Sequence, residues 1–248
     1  MKTQFTGKIA IITGAAGGIC RETAFCLAER GARGIVIADL NGNKAQETAQ
    51  AISAATECRC LPFTTDVSDP ESITALFAFT LEQFGTFHIL INGAGVCPTT
   101  PLSELTADKW DWCMNINLRS AHLCCREAIP VMQRQHYGRI VNIASLSYRV
   151  GGIASSVSYA ASKGGLVTAT KCYARMTARD GITVNAICPG LILTDMTRDN
   201  GYDPETIPMG RLGEPRDIAT AIAFLASDDS LYMTGCAMDV NGGLYMTP

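Results

Sequence analysis

Short runs of β-branched residues alternate with longer helix-favouring segments along the whole of this 248-residue chain. The first strand is predicted at Lys8–Thr13, and the helix that follows it, Gly18–Arg30, ends before Gly31. Strands that alternate with helices form right-handed βαβ units, so the pattern predicts a parallel sheet with helices on both faces. We therefore expect an α/β fold with one doubly wound domain over residues 1–248. The other predicted strands are Gly34–Asp39, Arg59–Thr65, His88–Asn92, Arg139–Ala144, Thr183–Cys188 and Ala237–Val240.

Two of the predicted helices carry clear start sites. Asn41–Ala55 begins with an asparagine N-cap, and Asp69–Phe84 has proline in its first turn. Thr106–Gln135 is predicted as one long helix whose end Pro130 should kink or disturb. The remaining predictions are helices at Ser158–Arg179 and Glu214–Ser227 and an irregular segment at Asp195–Pro208.

The composition excludes several classes of protein. The net charge is −3, 17% of the residues are charged, and lysine and arginine form no block, so neither nucleic acid nor an anionic membrane is an expected partner. No apolar run reaches the roughly 18–20 residues that span a bilayer, and the N-terminus has no signal-peptide pattern. We expect a soluble cytoplasmic protein, and the low charge favours a homo-oligomer.

The eleven cysteines and three histidines predict no metal site. Only Cys58-x-Cys60 and Cys124-Cys125 are close in sequence, and neither has the C-x-x-C spacing of zinc sites. We expect most of these thiols to be small buried side chains in a reducing compartment.

A glycine-rich turn, Thr13-Gly14-Ala15-Ala16-Gly17-Gly18-Ile19, links the first strand to the first helix. Such a turn lets a pyrophosphate approach the backbone, where the amides at the helix N-terminus point toward it. The second strand ends at Asp39, 21 residues beyond Gly18, where a carboxylate can accept both ribose hydroxyls of NAD. The same carboxylate repels a 2′-phosphate, and no Arg or Lys lies in the turn. The sequence therefore predicts a Rossmann-type site that prefers NAD to NADP.

Asp66 and Val67 follow the third predicted strand and are candidates for contact with the adenine. For Asp66 a second interpretation is equally good, because an aspartate at this position also caps the helix that follows.

Tyr159-Ala160-Ala161-Ser162-Lys163 places a phenol and an ammonium at i and i+4, on one face of a helix. A nearby ammonium lowers the pKa of a phenol, which gives a general acid/base for hydride exchange between the cofactor and a hydroxyl or carbonyl group. The strand Arg139–Ala144 ends just before Ser145, at the sheet edge where ligands gather in open α/β sheets. Ser145 is expected to hold the substrate oxygen near Tyr159, and Ser147 is the alternative.

With these motifs in place, the chain resembles the short-chain dehydrogenase/reductase family over essentially its whole length. The order and spacing of the motifs together are far more specific than any one of them. The matched motifs are Thr13-Gly14-x-x-x-Gly18-Ile19, Asn92-Gly93-Ala94-Gly95, Met114-Asn115-Ile116-Asn117-Leu118, Ile143-Ala144-Ser145, Tyr159-x-x-x-Lys163, Pro189-Gly190-x-x-x-Thr194 and Val240-Asn241-Gly242-Gly243.

The resemblance implies a catalytic set of Asn117, Ser145, Tyr159 and Lys163. In that family the tyrosine is the acid/base, the lysine holds the nicotinamide ribose, the serine orients the substrate, and the asparagine anchors a proton-relay water. The family also implies a homotetramer built on two long helices. The predicted contacts to NAD are Gly14, Gly17, Gly18, Ile19, Asp39, Asp66, Val67, Asn92, Ala94, Gly95, Tyr159, Lys163, Pro189, Gly190, Ile192 and Thr194.

Two positions depart from the family pattern. Cys20 stands where the family has its third glycine, so its added side chain is expected to shift the turn or weaken cofactor binding. Its place at a helix N-terminus also suggests a thiol of lowered pKa and a redox role, although passive tolerance is the favoured interpretation. We predict that Cys20→Gly preserves activity and tightens NADH binding. The second departure, Gly93 where the family commonly has asparagine, is expected to be minor.

The substrate is predicted less directly than the cofactor. Asp39 favours NAD-linked dehydrogenation of a secondary alcohol such as a polyol, sugar or diol. The alternative is a 3-oxoacyl-carrier-protein reductase using NADPH, because the segments Gly210–Gly213 and Asn241–Met246 are similar to those enzymes. That activity needs a basic patch for the acidic carrier, and only three arginines offer one: Arg126, Arg134 and Arg139.

A third hypothesis is a protein that senses the cofactor without catalysis, which Cys20 suggests and the intact catalytic set opposes. Substrate contacts are expected from Val96–Pro101 and Ser147–Ser156. The segment Asp195–Pro208 either closes over the site or is a mobile surface loop. Cys97 and Cys188 either line the pocket or fill the core, and core filling is favoured for both.

Overall fold

A computed structural model describes residues 4–153 and 155–246 and contains a seven-stranded parallel sheet in the order β3-β2-β1-β4-β5-β6-β7. The predicted doubly wound α/β fold is confirmed. None of the described helices is long and apolar enough to cross a membrane. Residues 1–3, where the sequence predicts no signal peptide, lie outside the described residues. Position 154, in the range Ser147–Ser156 that is predicted to contact the substrate, also lies outside them. The strands are β1 (Ile9–Thr13), β2 (Gly34–Asp39), β3 (Arg59–Thr64), β4 (Ile89–Asn92), β5 (Gly138–Ile143), β6 (Ile182–Pro189) and β7 (Ala237–Val240).

The helices cover both faces of this sheet because its central strands are apolar on both sides. Along β1, Ala10 and Ile12 join one buried cluster, whereas Ile9 and Ile11 join the cluster on the opposite face. The helices are α1 (Gly18–Glu29), α2 (Gly42–Ala55), α3 (Pro70–Phe84), α4 (Ala107–Met114), α5 (Ser120–Arg134), α6 (Ser147–Val150), α7 (Val157–Thr177) and α8 (Pro215–Leu225). The first cluster includes residues of α1 and α8, and the second includes residues of α3 and α5.

The strand order positions the functional site. The chain order reverses at β1, which pairs with β2 on one side and β4 on the other. In open α/β sheets the crevice beyond the carboxyl ends of the strands at such a reversal binds the ligand. The glycine-rich turn after β1 and the loops after β4 and β5 all open into this crevice.

The long helix predicted at Thr106–Gln135 is present from Ala107 to Arg134 and continues through Pro130. It is not uniform, because a π-helical segment, Asn115–Arg119, lies between α4 and α5. Hydrophobic periodicity does not reveal the one-residue widening of a π turn, which is often found at functional sites. The chain also forms short helical turns that the sequence pattern did not predict. These are α6 and the 3-10 turns Leu102–Glu104, Ala178–Asp180, Pro204–Thr206 and Asp228–Ser230.

Candidate active site

The turn after β1 forms an open backbone cradle. Gly14 and Gly18 have φ angles of +70° and +53°, in the left-handed region that favours glycine. A Cβ on Gly14 would lie 2.8 Å from the Cα of Ala94, whereas a Cβ on Gly17 would meet nothing within 4 Å. Helix α1 begins at Gly18, so its first amides face the opening. The cradle therefore fits a pyrophosphate.

A cavity of about 440 Å³ extends from this cradle to Tyr159. It brings together most of the predicted cofactor residues, and its size and shape suit a nicotinamide dinucleotide. The predicted residues that line it are Gly14, Gly17, Gly18, Ile19, Asp39, Gly95, Tyr159, Lys163, Pro189, Gly190, Ile192 and Thr194, together with Ser145 from the catalytic set.

Four predicted cofactor residues do not line this cavity. The Asp66 carboxylate accepts hydrogen bonds from the backbone and side chain of Ser68, so it caps the turn after β3. Val67 is buried in the second hydrophobic cluster, which includes residues of α3 and α5. The Asn92 side chain donates to Asn142 Oδ1 at 2.8 Å, and the Ala94 amide donates to Thr13 Oγ1 at 3.2 Å. These contacts tie neighbouring strands together beneath the site.

Asp39 is held by two backbone amides at the end of the cavity. Its Oδ2 accepts from Ala16 N at 3.0 Å, and its Oδ1 accepts from Asn41 N at 2.9 Å. Each carboxylate oxygen retains a lone pair for a ribose hydroxyl. Asn41 and Lys44 also line the cavity, and neither was among the predicted site residues. Their position just after β2 on the first turn of a helix could have indicated them.

Lys163 is buried and reaches the floor of the site. Its Nζ donates to the carbonyl oxygen of Ile143 at 2.7 Å. Burial lowers the pKa of Lys163 to about 8, and the nearby thiols of Cys97 and Cys113 partly offset this effect. Lys163 is therefore mostly protonated at neutral pH, which lies only about one pH unit below this pKa.

Two side chains from different loops affect the ionisation of the Tyr159 hydroxyl. Ser145, which lines the same cavity, lowers the pKa of Tyr159, and Cys97 raises it. Burial raises the pKa of Tyr159 above its ordinary value, so the lowering that was expected from Lys163 is wrong and the phenol is protonated at neutral pH. Cys97 is half-buried and affects the pKa of Tyr159 without lining the cavity, whereas Cys188 is fully buried, as the favoured interpretation expects.

Ser145 and not Ser147 faces the tyrosine. The backbone amide of Ser147 donates to Ser145 Oγ at 3.2 Å, whereas the hydroxyl of Ser147 is buried without a hydrogen-bond partner among the described residues. Ser147 therefore supports the predicted serine and does not replace it.

Asn117 lies in the π-helical segment and does not line the cavity. Its Oδ1 accepts from Val96 N at 2.8 Å, and its Nδ2 donates to Val96 O at 2.9 Å and to Ser162 Oγ at 3.1 Å. The side chain of Asn117 therefore fixes the loop after β4 against α7. Its predicted part in anchoring a water stays a prediction.

Cys20 and Gly93 are a complementary pair. A Cβ built on Gly93 would collide with Cys20 Sγ, so the absence of a side chain at position 93 makes room for the sulfur. The prediction that Gly93 is a minor departure is therefore wrong. The lowered pKa suggested for Cys20 is also wrong, because complete burial raises its pKa to about 12, and the Asp39 carboxylate adds to the rise. A thiol with this pKa is unreactive.

The segment Asp195–Pro208 begins in the cavity wall. Asp195, Met196 and Thr197 line the cavity. Thr197 Oγ1 accepts from the Thr194 amide at 3.0 Å and donates to Ile192 O at 2.5 Å, so it organises two predicted cofactor contacts. Thr197 was not predicted, because its part depends on a turn that no motif describes.

The pKa of Lys163 predicts the pH dependence of the reaction. Below pH 8 the ammonium carries its charge beside Tyr159, and above pH 8 the charge is lost. We therefore expect kcat/KM for ketone reduction to fall as the pH rises through about 8. Lys163→Arg, whose guanidinium stays protonated, is expected to move this falling limb to higher pH. An unchanged limb in that variant would assign it to another group.

A family model described as "Enoyl-(Acyl carrier protein) reductase" matches residues 14–245, which include both the cradle and the catalytic residues. The chain belongs to the short-chain dehydrogenase/reductase family. It is therefore an oxidoreductase that acts on an alcohol or keto group and binds a nicotinamide cofactor. Membership in this enzyme family opposes the hypothesis of a sensor without catalysis.

Individual relatives of this short-chain dehydrogenase/reductase extend the comparison. The chain is 39% identical over 245 residues to the 3-oxoacyl-[acyl-carrier-protein] reductase FabG of Vibrio cholerae, covering 97% of this chain and 98% of the relative. The structure of a 3-ketoacyl-(acyl-carrier-protein) reductase from Brucella melitensis complexed with NADH has a TM-score of 0.91 and 31% identity, and the match covers 97% of this chain and 99% of that one. A putative gluconate dehydrogenase from Agrobacterium tumefaciens has a TM-score of 0.91 and 32% identity, with 98% of both chains covered. The reductase names favour the alternative substrate prediction over the polyol prediction.

Proposed function

We propose that this short-chain dehydrogenase/reductase reduces the ketone of a 3-oxoacyl thioester to a 3-hydroxyacyl thioester, with NADH as hydride donor. The observation that carries the proposal is the nearly full-length likeness to proteins named 3-oxoacyl-[acyl-carrier-protein] reductase. The protonated state of Tyr159 supports the reductive direction, because ketone reduction needs a proton donor at the carbonyl oxygen.

The described side chains divide the work of this reaction. Ser145 holds the ketone oxygen beside Tyr159, and the Tyr159 hydroxyl gives it a proton. Lys163 stabilises the phenolate that remains, because its ammonium nitrogen lies 5.7 Å from the centre of the Tyr159 ring. A bound reduced nicotinamide supplies the hydride.

Apolar surface near the site favours an acyl chain over a polyol. Met196, which lines the cavity, is 56% exposed, and Leu193, between the lining residues Ile192 and Thr194, is 48% exposed. Met209, on the segment that follows, is 65% exposed. An acyl chain that covers these side chains gains apolar burial, which a hydrophilic polyol does not.

The three arginines suggested as a carrier-binding patch are reduced to two. Arg139 is buried and donates to Asp228 at 2.8 Å, which leaves Arg126, paired with Glu127 at 3.1 Å, and the exposed Arg134. We therefore propose that the acyl thioester itself is the recognised part of the substrate. The proposed assembly is a homotetramer in the cytoplasm, and exposed apolar side chains such as Met176 on α7 offer surface for it.

The proposed preference for NADH rests on Asp39. Its two fixed oxygens suit ribose hydroxyls and oppose a 2′-phosphate. Lys44 is the opposing feature, because it is the one cation that lines this end of the cavity among the described residues. We expect Asp39→Asn to reduce the NADH:NADPH preference at least tenfold, as measured by nicotinamide fluorescence titration. Glu57→Gln, which alters an exposed carboxylate outside the cavity, is the matched control. Equal preferences in Asp39→Asn and the native protein would remove Asp39 as the determinant.

A second candidate function is the NAD-linked oxidation of a sugar acid or polyol. The likeness to the structure titled a putative gluconate dehydrogenase is the observation that favours it. The two candidates separate in one assay series, in which the purified protein is given acetoacetyl-CoA with NADH or NADPH, and gluconate with NAD. Turnover of acetoacetyl-CoA well above that of gluconate supports the proposed function, and the reverse order overturns it.

A further inference from the structure

Cys58 and Cys60 form a close pair of thiols at one edge of the sheet. They flank Arg59, the first residue of β3, and β3 is an edge strand that pairs only with β2 among the described strands. Their Sγ atoms are 3.7 Å apart, which is within hydrogen-bond distance for sulfur, and both thiols are free. A disulfide bond is about 2.0 Å long, so a small movement of the two sulfur atoms would join them.

Side chains from the end of α2 and the turn after it hold this pair in place. Ser53 Oγ donates to the carbonyl oxygen of Cys58 at 3.2 Å and accepts from the amide of Cys60 at 3.1 Å. Thr56 Oγ1 accepts from the amide of Cys58 at 3.2 Å. The spacing also suits a disulfide, because two residues of extended chain span at most about 7 Å and bonded cysteines have Cα atoms roughly 4.4–6.8 Å apart. The backbone therefore need not unfold for the two sulfurs to bond.

The two thiols differ in acidity. The hydrogen bond with Cys58 lowers the pKa of Cys60, although burial opposes it, whereas the same hydrogen bond and burial both raise the pKa of Cys58. Peroxides oxidise the thiolate form, so Cys60 is the more reactive of the two. The adjacent Cys124 and Cys125 are different, because burial raises the pKa of both.

The pair also lies close to the surface. Glu57 and Arg59, on either side of Cys58, are exposed, and Cys60 itself is 7% exposed. A small oxidant such as hydrogen peroxide reaches such a position through a slight local opening at the sheet edge, which does not admit a bulky disulfide reagent. Cys58 is then the neighbouring thiol that resolves an oxidised Cys60.

We propose that Cys58 and Cys60 are a redox modification site that hydrogen peroxide oxidises to a disulfide. The Cys60 sulfur attacks one peroxide oxygen, the O–O bond breaks, and Cys60 becomes a sulfenic acid as a water molecule leaves with the thiol proton. The Cys58 sulfur then attacks Cys60 Sγ and displaces the sulfenic oxygen, which leaves as a second water molecule with the proton of Cys58. The two sulfurs lose two electrons in total, and one peroxide is reduced to two waters. Neither cysteine lines the cofactor cavity, so the site is independent of the proposed function.

The test uses the purified native protein, reduced and then treated with an equimolar amount of hydrogen peroxide. Free thiols are alkylated in denaturant, and cleavage after glutamate releases both cysteines together on the peptide Cys58–Glu71. We expect mass spectrometry to find this peptide unalkylated, and to find both cysteines alkylated when dithiothreitol is added before the alkylating reagent. Its two thiols should disappear at least roughly ten times faster than those of Cys124 and Cys125, which are the internal control. The Kd for NADH is expected to stay unchanged.

Two variants separate the roles of the partners. In Cys58→Ser no disulfide forms at this site, so the sulfenic acid on Cys60 should persist and be trapped by dimedone. Cys172→Ser, which removes an exposed cysteine, is the control and should leave the oxidation of Cys58 and Cys60 unchanged. The inference is overturned if the native peptide stays fully alkylated while Cys172 is oxidised, an outcome that needs no variant. It is also overturned if Cys60 in Cys58→Ser gives no dimedone adduct under conditions that oxidise the native pair.

Discussion

Tyr159→Phe is expected to lower kcat for ketone reduction by about a thousandfold while leaving the Kd for NADH within about twofold of its native value. The phenylalanine ring occupies the same space, so the variant removes the hydroxyl and little else. Ser145 and Lys163 remain, but a serine hydroxyl is a much weaker acid than a phenol, and Lys163 Nζ is anchored to the carbonyl oxygen of Ile143 at 2.7 Å. Single-turnover kinetics with NADH absorbance measures the hydride step directly.

In Tyr159→Phe, kcat should fall while the Kd for NADH stays nearly unchanged. A residual rate above about a tenth of the native rate would mean that another group delivers the proton. A parallel loss of NADH affinity would mean that Tyr159 holds the cavity together and is not specifically the acid. Tyr173→Phe, on the same helix but outside the cavity lining, controls for the loss of a phenol from α7.

The parts of the fold and site that the sequence predicted are those with local causes. The central strand β1 is apolar on both faces, and the turn after it needs glycine because of its own φ angles. Tyr159 and Lys163 share a helix face because they are four residues apart. In each case, the residues that cause the structure lie within a few positions of one another.

The parts that the sequence did not predict depend on contacts between distant segments. The π-helical segment is tied to the loop after β4 through Asn117, and periodicity carries no trace of that contact. The pKa of Cys20 was predicted from its helix N-terminus, but the packing of α1 against the end of β4 buries the thiol and reverses the direction. Contacts between segments that are far apart in sequence leave no local pattern from which they could be predicted.

The complementarity of Cys20 and Gly93 leads to the second large expected effect, a strong coupling between two substitutions. Gly93→Ala alone adds a Cβ that collides with the sulfur of the buried Cys20. Overpacking of this kind costs about 1–3 kcal/mol, and the displaced sulfur would enter the cofactor cavity that Cys20 lines. We therefore expect Gly93→Ala to lower the free energy of unfolding by this amount and to weaken NADH binding.

Cys20→Gly alone is expected to keep activity and tighten NADH binding, and to lower stability by about 1 kcal/mol because glycine is a poor helix residue. In the double variant the collision is gone, and the remaining neighbours of the new Cβ are the Ile143 Cδ1 methyl at 3.0 Å and Thr13 O at 3.1 Å. Most of the cost of Gly93→Ala should therefore disappear, which gives a coupling above about 1 kcal/mol in denaturant unfolding.

The control for this cycle is Gly164→Ala, because a Cβ at position 164 meets nothing within 4 Å. That substitution lies within α7, where alanine is the better helix former, so it should be neutral or stabilising and should not couple to Cys20→Gly. Additive effects of Cys20→Gly and Gly93→Ala, within about 0.5 kcal/mol, would show that the sulfur moves aside at little cost. A strong coupling would instead mean that Cys20 and Gly93 depend on each other, and that glycine at position 93 is what allows the cofactor cradle to tolerate a thiol.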